Sequence, residues 1–123
     1  MKQIENAKIS STFLGIEDHG IFSFTLMLDY GGSGQGAGQY CLDAPMRNKK
    51  GDFVKRVGTA KGCDVLLEIL RTLEVDSWEK LKGVHLRAEH DYGKVYRIGH
   101  ILKNKWLDFE SFFAEKSTPT PKL

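Results

Sequence analysis

Four histidines, two cysteines and a run of glycines are the residues of this chain best equipped for chemistry. His19, His85, His90 and His100 show neither the i, i+4 helical spacing nor the His-x-Glu pattern of metal enzymes, so the sequence predicts no metal centre. His85 and His100 could approach each other across a hairpin, where a surface or cross-strand role is the expectation. Cys41 and Cys63 lie 22 positions apart without a CxxC pair, which excludes a zinc ribbon or thioredoxin-type site. Both read as buried small hydrophobes. The alternative is a reactive thiol at Cys63, near an expected helix N-terminus that would favour a thiolate. A disulfide between them would need an oxidising compartment, to which nothing points.

The glycine run, Gly31-Gly32-Ser33-Gly34-Gln35-Gly36-Ala37-Gly38, has five glycines in eight residues. It matches neither a Walker loop, which needs Gly-Lys followed by Ser or Thr, nor Gly-x-Gly-x-x-Gly. From Gly32 to Gly38 glycine takes every second position, which suits an extended segment with one bare face. Ser33, Gln35, Ala37 and Gln39 would occupy the other. Two readings stand: a hairpin loop or bulged strand, or a contact surface at Gly32, Ser33, Gly34, Gln35 and Gly36. No Gly-x-Ser-x-Gly elbow and no locatable carboxylate pair occur, so the expectation is a non-enzymatic protein without a cofactor. Trp78, Trp106, Tyr92, Tyr96, Phe22 and Phe24 could stack bases, but core packing explains most of them better.

Apolar residues make up 41% and charged residues 28% of 123, the composition of one globular domain. No apolar run approaches a membrane span, and Met1-Lys2-Gln3-Ile4-Glu5 does not read as a secretory signal. The net charge of +2 fits neither a histone-like DNA binder nor an acidic DNA mimic. The distribution is uneven. Between residues 46 and 62, Arg47, Lys49, Lys50, Lys55, Arg56 and Lys61 face Asp52 alone. This basic arm is either a solvated loop or a contact for phosphates or an acidic protein surface, through Arg47, Lys49, Lys50, Lys55 and Arg56.

These residues need a scaffold. Residues 7 to 16 read as a strand. From Ile21 to Tyr30, Phe22, Phe24, Leu26, Leu28 and Tyr30 fall on one face and Ser23, Thr25 and Asp29 on the other, the clearest strand in the chain. Gln39 to Asp43 adds a short strand that Ala44-Pro45 ends. Thr59 can cap a helix over 60–74 whose stripe is Cys63, Leu66, Ile69, Leu70 and Leu73. Asp76-Ser77-Trp78-Glu79 resembles a capping box with Asp76 as cap, and Gly83 stops the turn. Residues 84–89 and 94–101 read as a second hairpin, and Asp108 can cap a last helix. The order β-β-β-α-β-β-α predicts an α+β domain over 1–116: an antiparallel sheet built from two hairpin regions, one face covered by the central helix, with a short C-terminal helix. Residues 117–123 read as a disordered tail.

The segments Ile4–Ile9, Glu17–Ile21, Leu28–Gly36, Arg56–Ala60 and Gly99–Trp106 together resemble small accessory proteins of tailed phages and prophages. That resemblance carries no known activity or site residues. It implies a protein of the infected bacterial cytoplasm that acts by binding, with no membrane. The expectation is an inhibitor of a host defence protein or ribonucleoprotein complex, in the manner of an anti-CRISPR. The alternatives are a nucleic-acid-binding phage accessory protein, using the arm's cations on phosphates, and a sponge for a signalling nucleotide, with glycine N–H groups and Arg47 or Arg56 on its phosphates. A glycine-rich strand edge also leaves room for a homodimer.

Overall fold

In the computed structural model, residues 1–17 and 19–114 are described. The elements are β1 (Gln3–Ile16), β2 (Phe22–Asp29), β3 (Gly34–Cys41), β4 (Asp43–Arg47), β5 (Phe53–Gly58), α1 (Ala60–Leu73), a 3₁₀ turn (Trp78–Lys80), β6 (His85–His90), β7 (Val95–His100), β8 (Trp106–Asp108) and α2 (Phe109–Ala114). The domain is α+β and mostly antiparallel sheet. Its main sheet has the order β3-β2-β1-β6-β7-β8, and β4 and β5 form a separate two-stranded sheet. The expected tail, 117–123, lies outside the described residues.

β1 organises the sheet, because its 14 residues serve two neighbours. Gln3 to Lys8 pair with His90 to His85, and Lys8 to Ile16 pair with Asp29 to Phe22. A bulge between Ile9 and Ser11 lets one strand turn from one partner to the other. The sheet curls, so β3 at one edge approaches β7 near the other. Inside the curl lie Ile9, Phe24, Leu26, Leu28, Ala37, Leu86, Ala88 and Ile98, packed with Val65, Ile69, Leu81 and Phe109. Burying this apolar set is what holds the curl closed.

Thr59 caps α1 as its hydroxyl allows: Oγ1 accepts the Gly62 N–H at 2.9 Å and donates to the Leu42 carbonyl at 3.1 Å. The buried stripe of α1 is Gly62, Val65, Ile69, Thr72 and Leu73, rotated from the expected one. The cause is a close approach. A Cβ at Gly62 would stand 2.4 Å from the Leu42 carbonyl oxygen, so the bare glycine must face inward. Cys63 is thereby turned outward. Both cysteines are exposed, which corrects the expectation of buried thiols.

The capping box at Asp76 does not form. Ser77 is the cap residue without a side-chain bond, and Asp76 instead pairs with Lys80 at 2.7 Å. Leu81 is fully buried below the turn, and Trp78 meets Phe24 edge-on at 6.3 Å. Asp108 does cap α2, accepting the Ser111 N–H at 3.1 Å.

Candidate functional site

The basic arm is a β-ribbon. β4 and β5 pair from Asp43↔Gly58 to Arg47↔Phe53. Asn48 builds the tip: its Oδ1 accepts the N–H groups of Lys50 at 2.9 Å and Asp52 at 3.0 Å, and Gly51 takes φ +85. A lone two-stranded sheet is marginal in water, so the ribbon depends on its root. There the Leu42 N–H donates to the Phe22 carbonyl at 2.8 Å, and the Phe22 N–H donates to Asp43 Oδ2 at 3.2 Å. Arg56 closes the root on the same carboxylate.

The five expected cations therefore divide. Arg47, Lys49, Lys50 and Lys55 are exposed on the ribbon. Arg56 is half-buried at its base, with Nε 2.9 Å from Asp43 Oδ2 and Nη2 2.9 Å from Oδ1. These bonds, chiefly those from Arg56, hold the Asp43 carboxyl down at about 2. Between the cations stand exposed apolar side chains, Met46, Phe53 and Val54, with Phe53 57% exposed.

The glycine segment lies at the far end of β3. Gly31 and Gly32 make the β2–β3 turn, with the Tyr30 N–H donating to the Ser33 carbonyl at 2.9 Å. Gly34, Gly36 and Gly38 then pair with Asp29, Met27 and Thr25. Gln35 points to the other side. Its Oε1 accepts the Tyr30 hydroxyl at 2.8 Å and its Nε2 donates to the Asp91 carbonyl at 2.9 Å. Burial, and then Glu5, push the Tyr30 hydroxyl up to about 12. Eight residues of strand, about 25 Å, separate this turn from the ribbon. The two expected contact surfaces are neighbours in sequence and lie towards opposite ends of β3. Gly38 has its own constraint: at φ +98, a Cβ there would stand 2.3 Å from the Phe24 ring.

The expected aromatics are structural in the main. Phe24 is fully buried, and Trp106 lies over Gly99 with the Arg87 and Arg97 guanidinium carbons 4.6 and 4.0 Å from its ring centroid. Tyr92 is fully exposed. His100 stands opposite Leu86 rather than His85 in the β6–β7 register, and its Nδ1 accepts the N–H groups of Leu102 and Lys103. No family model, curated protein or solved structure matches the chain. Among the described residues, no group of three or more His, Cys, Asp or Glu side chains could hold a metal ion. No helix among them is long and apolar enough to cross a membrane.

Sequence reasoning missed two features. One is the ribbon itself, whose signal was legible in Phe53-Val54-Lys55-Arg56-Val57 after an Asn48–Gly51 turn. The other is Phe13, 41% exposed on the outside of the sheet. Its orientation depends on the bulge near Ser10, for which the sequence carries no sign.

Proposed function

We propose that this chain is a non-enzymatic binding protein that holds nucleic acid through the β4–β5 ribbon. The observation that carries the reading is the set of four exposed cations, Arg47, Lys49, Lys50 and Lys55, on a rooted ribbon. A two-stranded ribbon fits a nucleic-acid groove, and its cations gain from releasing counterions. The topology adds support. With β8 and the ribbon set aside, the order β3-β2-β1-β6-β7, with a helix between β3 and β6, resembles that of partly open five-stranded Greek-key barrels used for oligonucleotides. One architecture hosts many functions, and it is the ribbon that points to nucleic acid.

Fluorescence anisotropy with single- and double-stranded oligonucleotides at ~50 mM salt tests the reading. Four phosphate contacts to a single strand give a log–log salt slope of about −3. Reversing all four charges should abolish binding without moving the melting temperature, because exposed charges contribute little to folding. Absence of binding to either oligonucleotide would refute the proposal.

A second reading keeps the same ribbon and changes the partner. Met46, Phe53 and Val54 expose apolar surface among the cations, which suits a protein or ribonucleoprotein surface. With the phage resemblance, this supports an inhibitor of a host defence complex acting in the bacterial cytoplasm. Affinity purification of a tagged copy from infected cells should then recover that complex, and recovery should fail for Phe53→Ala. Recovery of no host complex above background removes this reading.

A further inference from the structure

A cleft of about 680 Å³ lies on the outer side of β1 and β2, with Glu17, His19 and Ile21 in its lining. Phe13, Ile16 and Met27 give it apolar walls, and Ser11, Thr25 and His19 supply polar groups. Glu17 is the carboxylate in its lining and no Lys or Arg lines it, so it offers phosphate nothing. It offers an uncharged flat group a great deal. The bulge between Ile9 and Ser11 puts Phe13 on the outer side, paired with Thr25. The Phe13 ring stands close over Gly15, where a Cβ would lie 3.1 Å from the ring. Gly15 thus leaves room for the ring to lie along the strand.

The cleft reaches within one residue of the contacts at the ribbon root. Ile21 lines the cleft, and its neighbour Phe22 bonds to both Leu42 and Asp43 at the ribbon root. An aromatic-walled cleft that repels phosphate, near the root of a cationic ribbon, matches the two halves of a single-stranded nucleotide: a flat base and an anionic backbone.

We infer that the cleft seats an unpaired nucleobase stacked on Phe13 while the ribbon holds the adjoining phosphates. This inference rests on the nucleic-acid reading and makes the ligand single-stranded. The hydroxyls of Ser11 and Thr25 and the His19 imidazole line the same cleft and can meet the polar base edge.

The test compares two labelled 12-mers of equal charge at ~50 mM salt, oligo-dT and an abasic strand. Unchanged protein should bind oligo-dT roughly 5- to 150-fold more tightly, the range for stacking one base. Phe13→Ala and Phe13→Leu should bring the two strands to parity, with abasic affinity unaltered, and Phe13→Trp should restore the preference. Phe13→Leu keeps apolar cover over Gly15, which guards against loss of fold. Equal affinity of the unchanged protein for both strands would overturn the base site and leave the ribbon reading intact. So would a preference that survives both Phe13→Ala and Phe13→Leu. Binding of neither strand would overturn both.

Discussion

Arg56 forks onto Asp43, one nitrogen to each carboxylate oxygen at 2.9 Å, and so ties the two strands of the ribbon together at their base. A planar guanidinium on a carboxylate is a strong and directional pairing. A residue that sequence places among the binding cations is thus a fixture of the scaffold.

That pairing makes the ribbon acid-sensitive. The Asp43 carboxyl is lowered to about 2, chiefly by Arg56, with help from the Cys41 thiol and the Phe22 N–H. A depressed carboxylate contributes stability above its unfolded pKa of about 4, and loses it as pH falls towards the folded value. Hydrogen exchange should show ribbon amides losing protection between about pH 4 and 2. Asp43→Asn should lower protection at neutral pH and flatten that dependence. An unchanged profile in the variant would contradict the assignment.

Thr59→Ala removes the α1 cap and leaves the Gly62 N–H without its 2.9 Å acceptor. The expected cost is about 0.5–2 kcal/mol in denaturant unfolding, with Thr59→Ser close to the unchanged protein.

Gly62→Ala should reverse the ordinary helix rule. Alanine is better than glycine inside a helix by about 1 kcal/mol. Here the added methyl would stand 2.4 Å from the Leu42 carbonyl oxygen, backbone that cannot swing aside. A net loss of about 1–3 kcal/mol is expected from overpacking. A gain in melting temperature would show that α1 and Leu42 can separate freely.

The glycines of the 31–38 run should differ sharply. Gly32 has open space around it and needs no positive φ, so Gly32→Ala should leave stability unchanged. Gly38→Ala combines φ +98 with a 2.3 Å clash against Phe24 and should cost at least about 2 kcal/mol. Thermal melts of both variants check the contrast.

The sequence announced features that repeat locally. The alternation in 22–30, the bare side of Gly34 and Gly36, and the Thr59 cap are all written in spacings of two or three residues. What it concealed depends on distant neighbours. Cys63 faces outward because Gly62 must meet Leu42, twenty positions earlier. Phe13 faces outward because of a bulge that satisfies both β2 and β6. The separation of the glycine turn from the basic cations follows from β3 lying between them, where adjacency in sequence had put them side by side.

The double pairing of β1 has a kinetic side. Gln3 meets His90, so the first half of β1 has no β6 to pair with until some eighty further residues exist. At about 5–20 residues per second of synthesis, that wait lasts several seconds. The hairpin of β1 with β2 needs only nearby chain and can form first. Closing the curl then requires a long loop to come together, the kind of contact that slows folding towards milliseconds or longer. During that interval Ala7 and Ile9 stand uncovered, and Lys2, just before the strand, and Lys8, between the two apolar residues, are charges available to discourage their aggregation.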